Sequence, residues 1–461
     1  MNTPLSNSQR RAAEALLHPY ANAAVIREAG VQIIDRGKGI HVYDEAGRPY
    51  IEAMSGLWCA GLGFGNDELA DAAREQLGKL PYYHLFGGKS HEPAIALAEK
   101  IKALAPGNMA RVFYQSSGSE ANETQVKLAW YYNNALGRPD KKKIISRARA
   151  YHGVTIVSAS MTGLANNHRD FDLPVDRILH TGTPHHWKNA RDGESEEEFS
   201  ARLAHELEAL ILDEGPDTVA AFIAEPVMGA GGCVVPPRGY FEAITAVCRK
   251  YDVLRISDEV ICGFGRTGEW FGAQTLNYEP TSMSMAKQLT GGYMPLSAVA
   301  INREMAEAIE GNSEKIGTFG HGFTYGGHPV SCAVGVKALE IYERLDITAR
   351  VKALAPQFGA HLDRLAEHPL VGEARHLGLV GTIELAPEKS PAGFTQPGKV
   401  GARMAQALLA RGVISRPIID SIIFCPPMII TAEEIDALFA PVKSALDEVL
   451  DWARAEGHVP G

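Results

Sequence analysis

The sequence lacks any apolar run long enough to cross a membrane. The longest uninterrupted run beside a motif, Val219–Ala224, is far shorter than the roughly 18–20 residues that a spanning helix needs. Basic residues are not in excess, since 45 Lys and Arg stand against 55 Asp and Glu, a formal charge of −10. Because nucleic acids and anionic membranes attract clustered positive charge, we expect neither as the main partner.

Cysteine is also scarce. The six cysteines are scattered, without a C-x-x-C pair, and no H-E-x-x-H helix motif is present. Isolated cysteines in a long chain are typical of buried small side chains or free thiols in a reducing compartment. The first 25 residues contain no uninterrupted apolar stretch of the kind found in secretory signals. We therefore expect no metal site and a cytoplasmic protein.

Short apolar segments alternate with longer amphipathic ones, a pattern typical of α/β proteins. Because single cores stop growing at roughly 250–300 residues, we expect two or more domains. We place an N-terminal segment (1–55) against a smaller α+β domain (331–461), with a large α/β domain (56–330) between them. Strands are predicted at 111–115, 143–145, 218–224, 253–257 and 297–301, the last three as buried parallel strands.

The first motif is Ser116-Ser117-Gly118-Ser119, where a predicted strand passes into a predicted helix. Free backbone N–H groups and the helix dipole make such a position suitable for an anion such as phosphate. Plain N-capping of the helix by serine is the alternative.

The second motif is Asp258-Glu259, at the end of a predicted buried strand. Neighbouring side chains of an extended segment point to opposite sides, so only one carboxylate faces a given ligand. Ligands of parallel α/β sheets gather beyond the carboxyl ends of the strands, which makes Asp258 a candidate partner for a cationic atom. A turn or capping role is the alternative.

The third motif, 263–268, matches the spacing G-x-G-x-x-G. A dinucleotide site also requires a helix to begin there, and the following residues lack a helical period. We therefore expect a tight, closely packed loop.

The fourth motif is Ala286-Lys287, followed by Gly291-Gly292. Most lysines are exposed and inert. A lysine that follows an apolar segment, near a strand-end carboxylate, is a better candidate for a desolvated amine that forms Schiff bases.

Together these motifs resemble the class III (omega-amino acid) aminotransferases, and most closely the amine:pyruvate and β-alanine:pyruvate branch. The resemblance extends from Tyr43 to Thr431. Its motifs are Gly56-Leu57-Trp58, Ser117-Gly118-Ser119-Glu120-Ala121-Asn122, Tyr151-His152-Gly153, Ala224-Glu225-Pro226, Asp258-Glu259-Val260, the loop 263–268, Ala286-Lys287 and the segment 322–329.

The resemblance implies fold type I, with a mostly parallel seven-stranded sheet in the large domain, and pyridoxal 5′-phosphate (PLP) as cofactor. Lys287 would hold PLP as a Schiff base and move a proton, while Asp258 would pair with the pyridine nitrogen. Thr324 would reach the cofactor of a neighbouring subunit, which implies a homodimer with shared sites or a tetramer of such dimers. The further positions implied for cofactor binding are Ser117, Gly118, Ser119, Tyr151, His152, Glu225, Val260 and Phe323. A core histidine is the alternative for His152.

For the substrate, the resemblance implies aromatic walls from Trp58, Phe86 and Tyr151. Ordinary core packing is the alternative for each of them. Arg416 matches the position of a mobile arginine that grips a carboxylate through two hydrogen bonds, with a solvated surface arginine as the alternative.

The function that follows is a transaminase that transfers an amino group from a primary amine or omega-amino acid to pyruvate by a ping-pong mechanism, giving alanine. A decarboxylase or aminomutase of the same fold is the nearest alternative, because it would share Lys287 and Asp258. A regulator that binds PLP would need a DNA-reading domain. An NAD-dependent oxidoreductase would depend on the weak glycine match at 263–268. Three positions stand apart. Gln288 replaces a glycine that many relatives have, and Gly326 stands where serine is common. Arg255 lies inside an apolar run without an evident partner.

Overall fold

Fifteen strands form three sheets in residues 5–459, the part of the chain that this computed structural model describes. In chain order they are β1 (Ile34–Lys38), β2 (His41–Asp44), β3 (Pro49–Glu52), β4 (Met109–Gln115), β5 (Lys143–Arg147), β6 (Ile178–Thr181), β7 (Val219–Ala224), β8 (Leu254–Asp258), β9 (Ser282–Met285), β10 (Ser297–Asn302), β11 (Val371–Leu377), β12 (Val380–Leu385), β13 (Val413–Ile414), β14 (Arg416–Ile418) and β15 (Ser421–Phe424).

Seventeen α-helical segments surround the sheets in the same residues. In chain order they are α1 (Asn7–Ala15), α2 (Ala23–Ala29), α3 (Ser55–Trp58), α4 (Asp67–Lys79), α5 (Glu92–Leu104), α6 (Gly118–Ala135), α7 (Ile156–Met161), α8 (His186–Asn189), α9 (Glu196–Glu214), α10 (Tyr240–Lys250), α11 (Gly272–Thr275), α12 (Arg303–Ile316), α13 (Pro329–Arg344), α14 (Ile347–Leu365), α15 (Lys399–Ala410), α16 (Ala432–Phe439) and α17 (Val442–Ala455). Each of them is too short or too polar to cross a membrane.

The central sheet has seven strands in the order β4-β10-β9-β8-β7-β5-β6, and β10 alone runs against the others. This confirms the predicted mostly parallel sheet. Its strands are buried on both faces: in β7, Phe222 packs with α9 and α10, while its neighbour Ile223 packs with α6 and α12. Burial on both sides explains why β7 is apolar throughout.

The prediction that 297–301 runs parallel is wrong. The connection from β9 to β10, residues 286–296, contains a tight turn at Lys287 and no α-helix. A parallel neighbour needs a crossover, usually through a helix, whereas an antiparallel neighbour accepts a short connection.

The first and last parts of the chain share a sheet. The hairpin β2–β3 turns at Gly47, whose φ is +79°, and the sheet order is β1-β2-β3-β13, with β13 parallel to β3. The third sheet, β11-β12-β15-β14, is antiparallel. The limits at 55 and 330 stay a prediction.

Arg255 lies half-buried near the start of β8. Its Nε donates to the carbonyl oxygen of Glu279 at 2.7 Å. The charge therefore lies at the sheet's rim and avoids the cost of burial in the core.

Candidate active site

A cavity of about 750 Å³ opens at the edge of the central sheet where β5, β7 and β8 end. This is the edge at which parallel α/β sheets bind ligands. Many of the residues proposed from the sequence meet there: Trp58, Gly118, Ser119, Tyr151, His152, Glu225, Asp258, Val260, Lys287 and Arg416 all line the cavity.

Asp258 ends β8 and is 4% exposed. Its Oδ2 accepts a hydrogen bond from Asn122 Nδ2 at 2.7 Å and lies 2.8 Å from His152 Nδ1. Its Oδ1 accepts from the backbone N–H of Val260 at 3.1 Å. These contacts fix the carboxylate in one orientation within the cavity wall.

Asn122 lies in the motif 117–122, which by itself did not indicate a role for this residue. It is buried on α6, and its Nδ2 also donates to the carbonyl oxygen of His152 at 2.8 Å. Its position one turn after Gly118 on α6 could have indicated that Asn122 belongs to the site, because residues four apart lie on the same face of a helix. The amide thereby joins Asp258 to the backbone beside Tyr151.

Lys287 follows β9 at a φ of +48°, which a non-glycine residue rarely adopts. Its Nζ lies 5.1 Å from the centre of the Trp58 ring and makes no hydrogen bond with any residue from 5 to 459. Burial lowers the pKa of Lys287, against a smaller opposing effect of Cys59 and Asp258. A lowered pKa increases the fraction of neutral amine, which is the nucleophilic form.

The N-terminus of α6 forms a second wall. Ser117 caps the helix, since its Oγ accepts from the N–H of Glu120 at 3.2 Å, and it does not line the cavity. Gly118 and Ser119 do line it, with helix N–H groups that have no partner inside the helix. A Cβ on Gly118 would lie 3.2 Å from Val260 Cγ1, so the wall is closely packed there.

Glu225 is buried beside the cavity and binds backbone. Its Oε1 accepts from the N–H of Tyr151 at 3.0 Å, and its Oε2 accepts from the N–H of Gly229 at 3.0 Å. Burial raises the pKa of Glu225. The carboxylate therefore positions the chain that carries Tyr151.

Trp58 lies at the end of a strained turn, α3. Ser55, Gly56 and Trp58 have φ values of +49°, +69° and +59°. The buried carboxylate of Glu52 accepts from the N–H of Gly56, and burial raises the pKa of Glu52 to about 7. Trp58 is thus held at the cavity by backbone geometry.

The guanidinium of Arg416 lies 5.2 Å from the centre of the Trp58 ring and forms no ion pair in the described part of the chain. Burial lowers its pKa. Tyr20, which the sequence motifs did not indicate, also lines the cavity and accepts from Asn167 Nδ2 at 2.7 Å.

Three sequence-based candidates lie elsewhere in a single chain. Phe86 and Phe323 line a separate depression, and the Phe86 ring packs against Gly322. Thr324 is exposed, and its carbonyl oxygen accepts from Tyr82 Oη at 3.0 Å.

The loop 263–268 is closely packed, as expected, and only the short α11 follows it. Its Arg266 is fully buried, and Nη1 donates to the carbonyl oxygens of Leu379 and Pro426 at 3.0 and 2.7 Å. Nη2 lies 3.4 Å from Ser55 Oγ. The side-chain amide of Gln288 is oriented with its oxygen toward the guanidinium. That oxygen accepts hydrogen bonds from Nε and Nη2 of Arg266, each at 3.2 Å. Arg266 thus joins four segments distant in sequence.

The chain matches the model of the aminotransferase class-III family over residues 24–446. It is 48% identical to gamma aminobutyrate transaminase 1, mitochondrial, of Solanum lycopersicum over 435 residues, covering 94% of this chain and 84% of that protein.

Two solved structures are similar over most of their length. The omega transaminase from Pseudomonas jessenii in complex with PMP has a TM-score of 0.95 and 49% identity, covering 97% of this chain and 99% of that chain. A transaminase with L-Ala has a TM-score of 0.90 and 52% identity, covering 91% and 99%.

Proposed function

Because the chain belongs to the class-III aminotransferases, we propose that it moves an amino group from a primary amine or omega-amino acid to pyruvate, giving alanine. One observation carries this proposal. Beside the Trp58 ring, the cavity holds two cationic side chains that lack a hydrogen-bond or ion-pair partner among residues 5–459: the Lys287 amine and the Arg416 guanidinium. Such a cavity suits substrates that react at a carbonyl or amine and carry a carboxylate.

The class uses PLP, and the residues present fit it. An unpartnered amine suits its aldehyde, a helix N-terminus suits its phosphate and a fixed carboxylate suits its pyridinium. We propose that Lys287 binds the aldehyde, that Gly118 and Ser119 bind the phosphate, and that Asp258 binds the pyridinium. Tyr151 and Val260 would pack against the ring. When bound, PLP supplies an electron sink for the bond that breaks at the substrate's Cα.

Residues of this chain would then move the substrate proton. We propose that Lys287 Nζ would take the proton from the substrate carbon that bears the amino group and deliver it to the former aldehyde carbon of the cofactor, because its lowered pKa lets the amine act as a base. Asp258 stays fixed by Asn122 and Val260 and keeps the pyridine nitrogen protonated. His152, also in contact with Oδ2, supports that orientation.

Alanine and omega-amino acids share the carboxylate that Arg416 would bind. The structure with L-Ala supports alanine as the product, and the tomato relative's name supports γ-aminobutyrate as a donor. An assay of alanine formed from pyruvate with a panel of amine donors tests the proposal. Carbon dioxide released in place of alanine would instead favour the decarboxylase.

Arg416→Ala should raise the apparent KM for pyruvate about ten- to a hundredfold. Charge-assisted hydrogen bonds to a carboxylate contribute roughly 1.5–3 kcal/mol, and each 1.4 kcal/mol is about tenfold. The half-reaction with an arylalkyl amine, which carries no carboxylate, should change far less. The two half-reactions are measured separately by single-turnover spectroscopy of the cofactor. Equal losses in both would mean that Arg416 supports the fold or the cofactor.

We further propose a homodimer with shared sites. Tyr82, Phe86 and Tyr325 are exposed aromatic residues beside Thr324, and a second copy would cover them. If Thr324 and Phe323 of one copy reach the cofactor of the other, PLP binds only the assembled protein. Dimers that pair into tetramers remain compatible with this arrangement.

PLP should then stabilise the dimer, by about 2.7 kcal/mol at a hundred times its Kd. Thermal unfolding with and without PLP, combined with light scattering, measures both properties. A fully active monomer under assay conditions would contradict the shared site. Cytoplasmic location stays a prediction from the scattered cysteines and the first 25 residues, and the tomato relative is described as mitochondrial.

A further inference from the structure

Arg375 is a buried arginine of β11 that joins the C-terminal sheet, β11-β12-β15-β14, to a loop beside the cavity. The residue is 7% exposed. Its Nη2 donates to the carbonyl oxygen of Gly232 at 2.6 Å, and its Nε donates to the carbonyl oxygen of Cys233 at 3.2 Å. Both acceptors belong to the loop 228–234, which lies between β7 and α10. The guanidinium thus binds the backbone of this loop at two adjacent residues.

Two carboxylates of the same sheet fix the guanidinium. Its Nη2 also donates to Glu384 Oε2 at 2.8 Å, and its Nη1 donates to Glu373. Burial alone would lower the pKa of Arg375, but the two carboxylates raise it. Glu384 also accepts from Ser421 Oγ of β15 at 3.0 Å. Arg375 therefore stays charged and in one orientation, which lets it hold the loop against the sheet.

The other side of the loop binds residues that line the cavity. Glu225 Oε2 accepts from the N–H of Gly229 at 3.0 Å, while its Oε1 accepts from the N–H of Tyr151 at 3.0 Å. Arg149, which also lines the cavity, donates through Nε and Nη2 to the carbonyl oxygen of Gly231 at 3.2 and 2.8 Å. A displacement of the loop would therefore move Glu225 and, with it, the backbone of Tyr151.

The loop is too closely packed to absorb such a displacement. The backbones of Met228 and Val234 bind each other twice, each time at 3.0 Å. Gly232 has a φ of +111°, and a Cβ there would lie 3.0 Å from Ser421 Oγ and 3.4 Å from Arg149 Nη2. The loop thus fills the space between the C-terminal sheet and the cavity. Close packing transmits a shift on one side to the other.

The C-terminal sheet also contributes to the cavity, because its strand β14 begins with Arg416. Tyr151 reaches the cavity from a different part of the chain, after β5. Arg375 does not line the cavity itself, but it binds the sheet that carries Arg416 to the loop that holds Tyr151 through Glu225.

We propose that Arg375 is a positioning residue: by holding the loop 228–234 against the C-terminal sheet, it sets the distance between Arg416 and Tyr151. This inference rests on the proposed transaminase function, which assigns the substrate carboxylate to Arg416 and the cofactor ring to Tyr151. Without the bonds of Arg375, both residues would remain in the cavity but would be held less precisely relative to each other. A misplacement of about 1 Å by a distant change can cost roughly a hundredfold in rate.

Hydrogen exchange of the PLP-loaded protein, followed by mass spectrometry of its fragments, tests the coupling without turnover. Arg375→Gln should speed exchange at the N–H groups of Gly229 and Tyr151, both of which donate to Glu225. We expect roughly a tenfold rise or more, the value of a lost charge-assisted hydrogen bond. The strand β4, at one edge of the central sheet, should exchange as in the wild type. Arg375→Lys keeps the charge and should show a smaller rise.

Glu373→Gln is the matched control. It removes a carboxylate partner of Arg375 on the same strand but leaves both bonds to the loop in place. It should therefore lower the melting temperature without speeding exchange at Gly229 or Tyr151. Wild-type exchange at Tyr151 in Arg375→Gln, an equal rise in Glu373→Gln, or faster exchange throughout the chain would overturn the inference. Should Arg375→Gln not fold, Arg375→Lys decides the question by the same comparison with Glu373→Gln.

The companion assay measures kcat and KM with pyruvate. Arg375→Gln should lose about ten- to a hundredfold, mainly in kcat, because Arg416 still binds the carboxylate and only its distance from the ring changes. Glu373→Gln should lose little. Faster exchange at Tyr151 in a protein whose wild type transfers no amino group would overturn the proposed function and leave the coupling standing. Wild-type kcat in Arg375→Gln would overturn the positioning role and leave the proposed function standing.

Discussion

Lys287→Ala should abolish transamination, with a loss on the order of 10²–10⁴ or more, the usual contribution of a positioned acid–base group. The loss should be this large because one amine would serve both as the attachment point of the cofactor and as the base at Cα. Its unpartnered Nζ and lowered pKa fit both tasks. The measurement is single-turnover spectroscopy with an amine donor, together with the cofactor's visible colour.

Lys287→Arg is the control that separates charge from nucleophilicity. It keeps a cation beside Trp58 but provides a group that does not deprotonate in proteins. We expect it to bind cofactor without turnover. Full turnover in Lys287→Ala would remove the lysine from the reaction.

Asp258→Asn should slow proton abstraction by about 10²–10³, as the deletion of a preorganised electrostatic group does. The carboxylate is held by Asn122 and the N–H of Val260, so its charge is in place before the reaction begins. An asparagine keeps the shape but no longer favours a protonated pyridine nitrogen. Cofactor binding, measured by absorbance titration, should persist while the single-turnover rate falls.

The neighbouring Glu259 provides the contrast. Unlike Asp258, it does not line the cavity. Its carboxylate accepts hydrogen bonds from the N–H groups of Gly272 and Ala273, each at 2.8 Å. Glu259→Gln should therefore lower the melting temperature and leave the rate of proton abstraction in the folded protein nearly unchanged. A near wild-type rate in Asp258→Asn would exclude Asp258 from the proposed role.

Much of the central sheet could be predicted because its signal is local. The apolar run that becomes β7 is continuous since both faces are covered, and the ends of β8 and β9 carry Asp258 and Lys287 in matched motifs. The direction of β10 could not be read from its own residues. It depends on the length and content of the connection before it, and the apolar pattern of a buried strand is the same in both directions.

The parts of the site that could not be predicted come from residues outside any motif. Tyr20 and Arg149 reach the cavity only through the tertiary fold, and the pairing of β3 with β13 joins residues more than 350 positions apart. Phe86 differs again: the resemblance implied it as an aromatic wall of the site, but a single chain leaves it in another depression. Sequence patterns identify residue types and their spacing. Whether a side chain lines the active-site cavity depends on packing between residues that are distant in sequence.

Arg266 opposes the separate unfolding of the segments that it joins. Its guanidinium satisfies carbonyl oxygens at Leu379 and Pro426, approaches Ser55 and binds Gln288 beside Lys287. If any one of these segments unfolded alone, a buried cation would lose acceptors that no nearby group replaces, at a cost of roughly 1–3 kcal/mol for each bond. Local fluctuations are therefore suppressed at this junction, and the four segments belong to one cooperative unit whose amide protons exchange together with solvent.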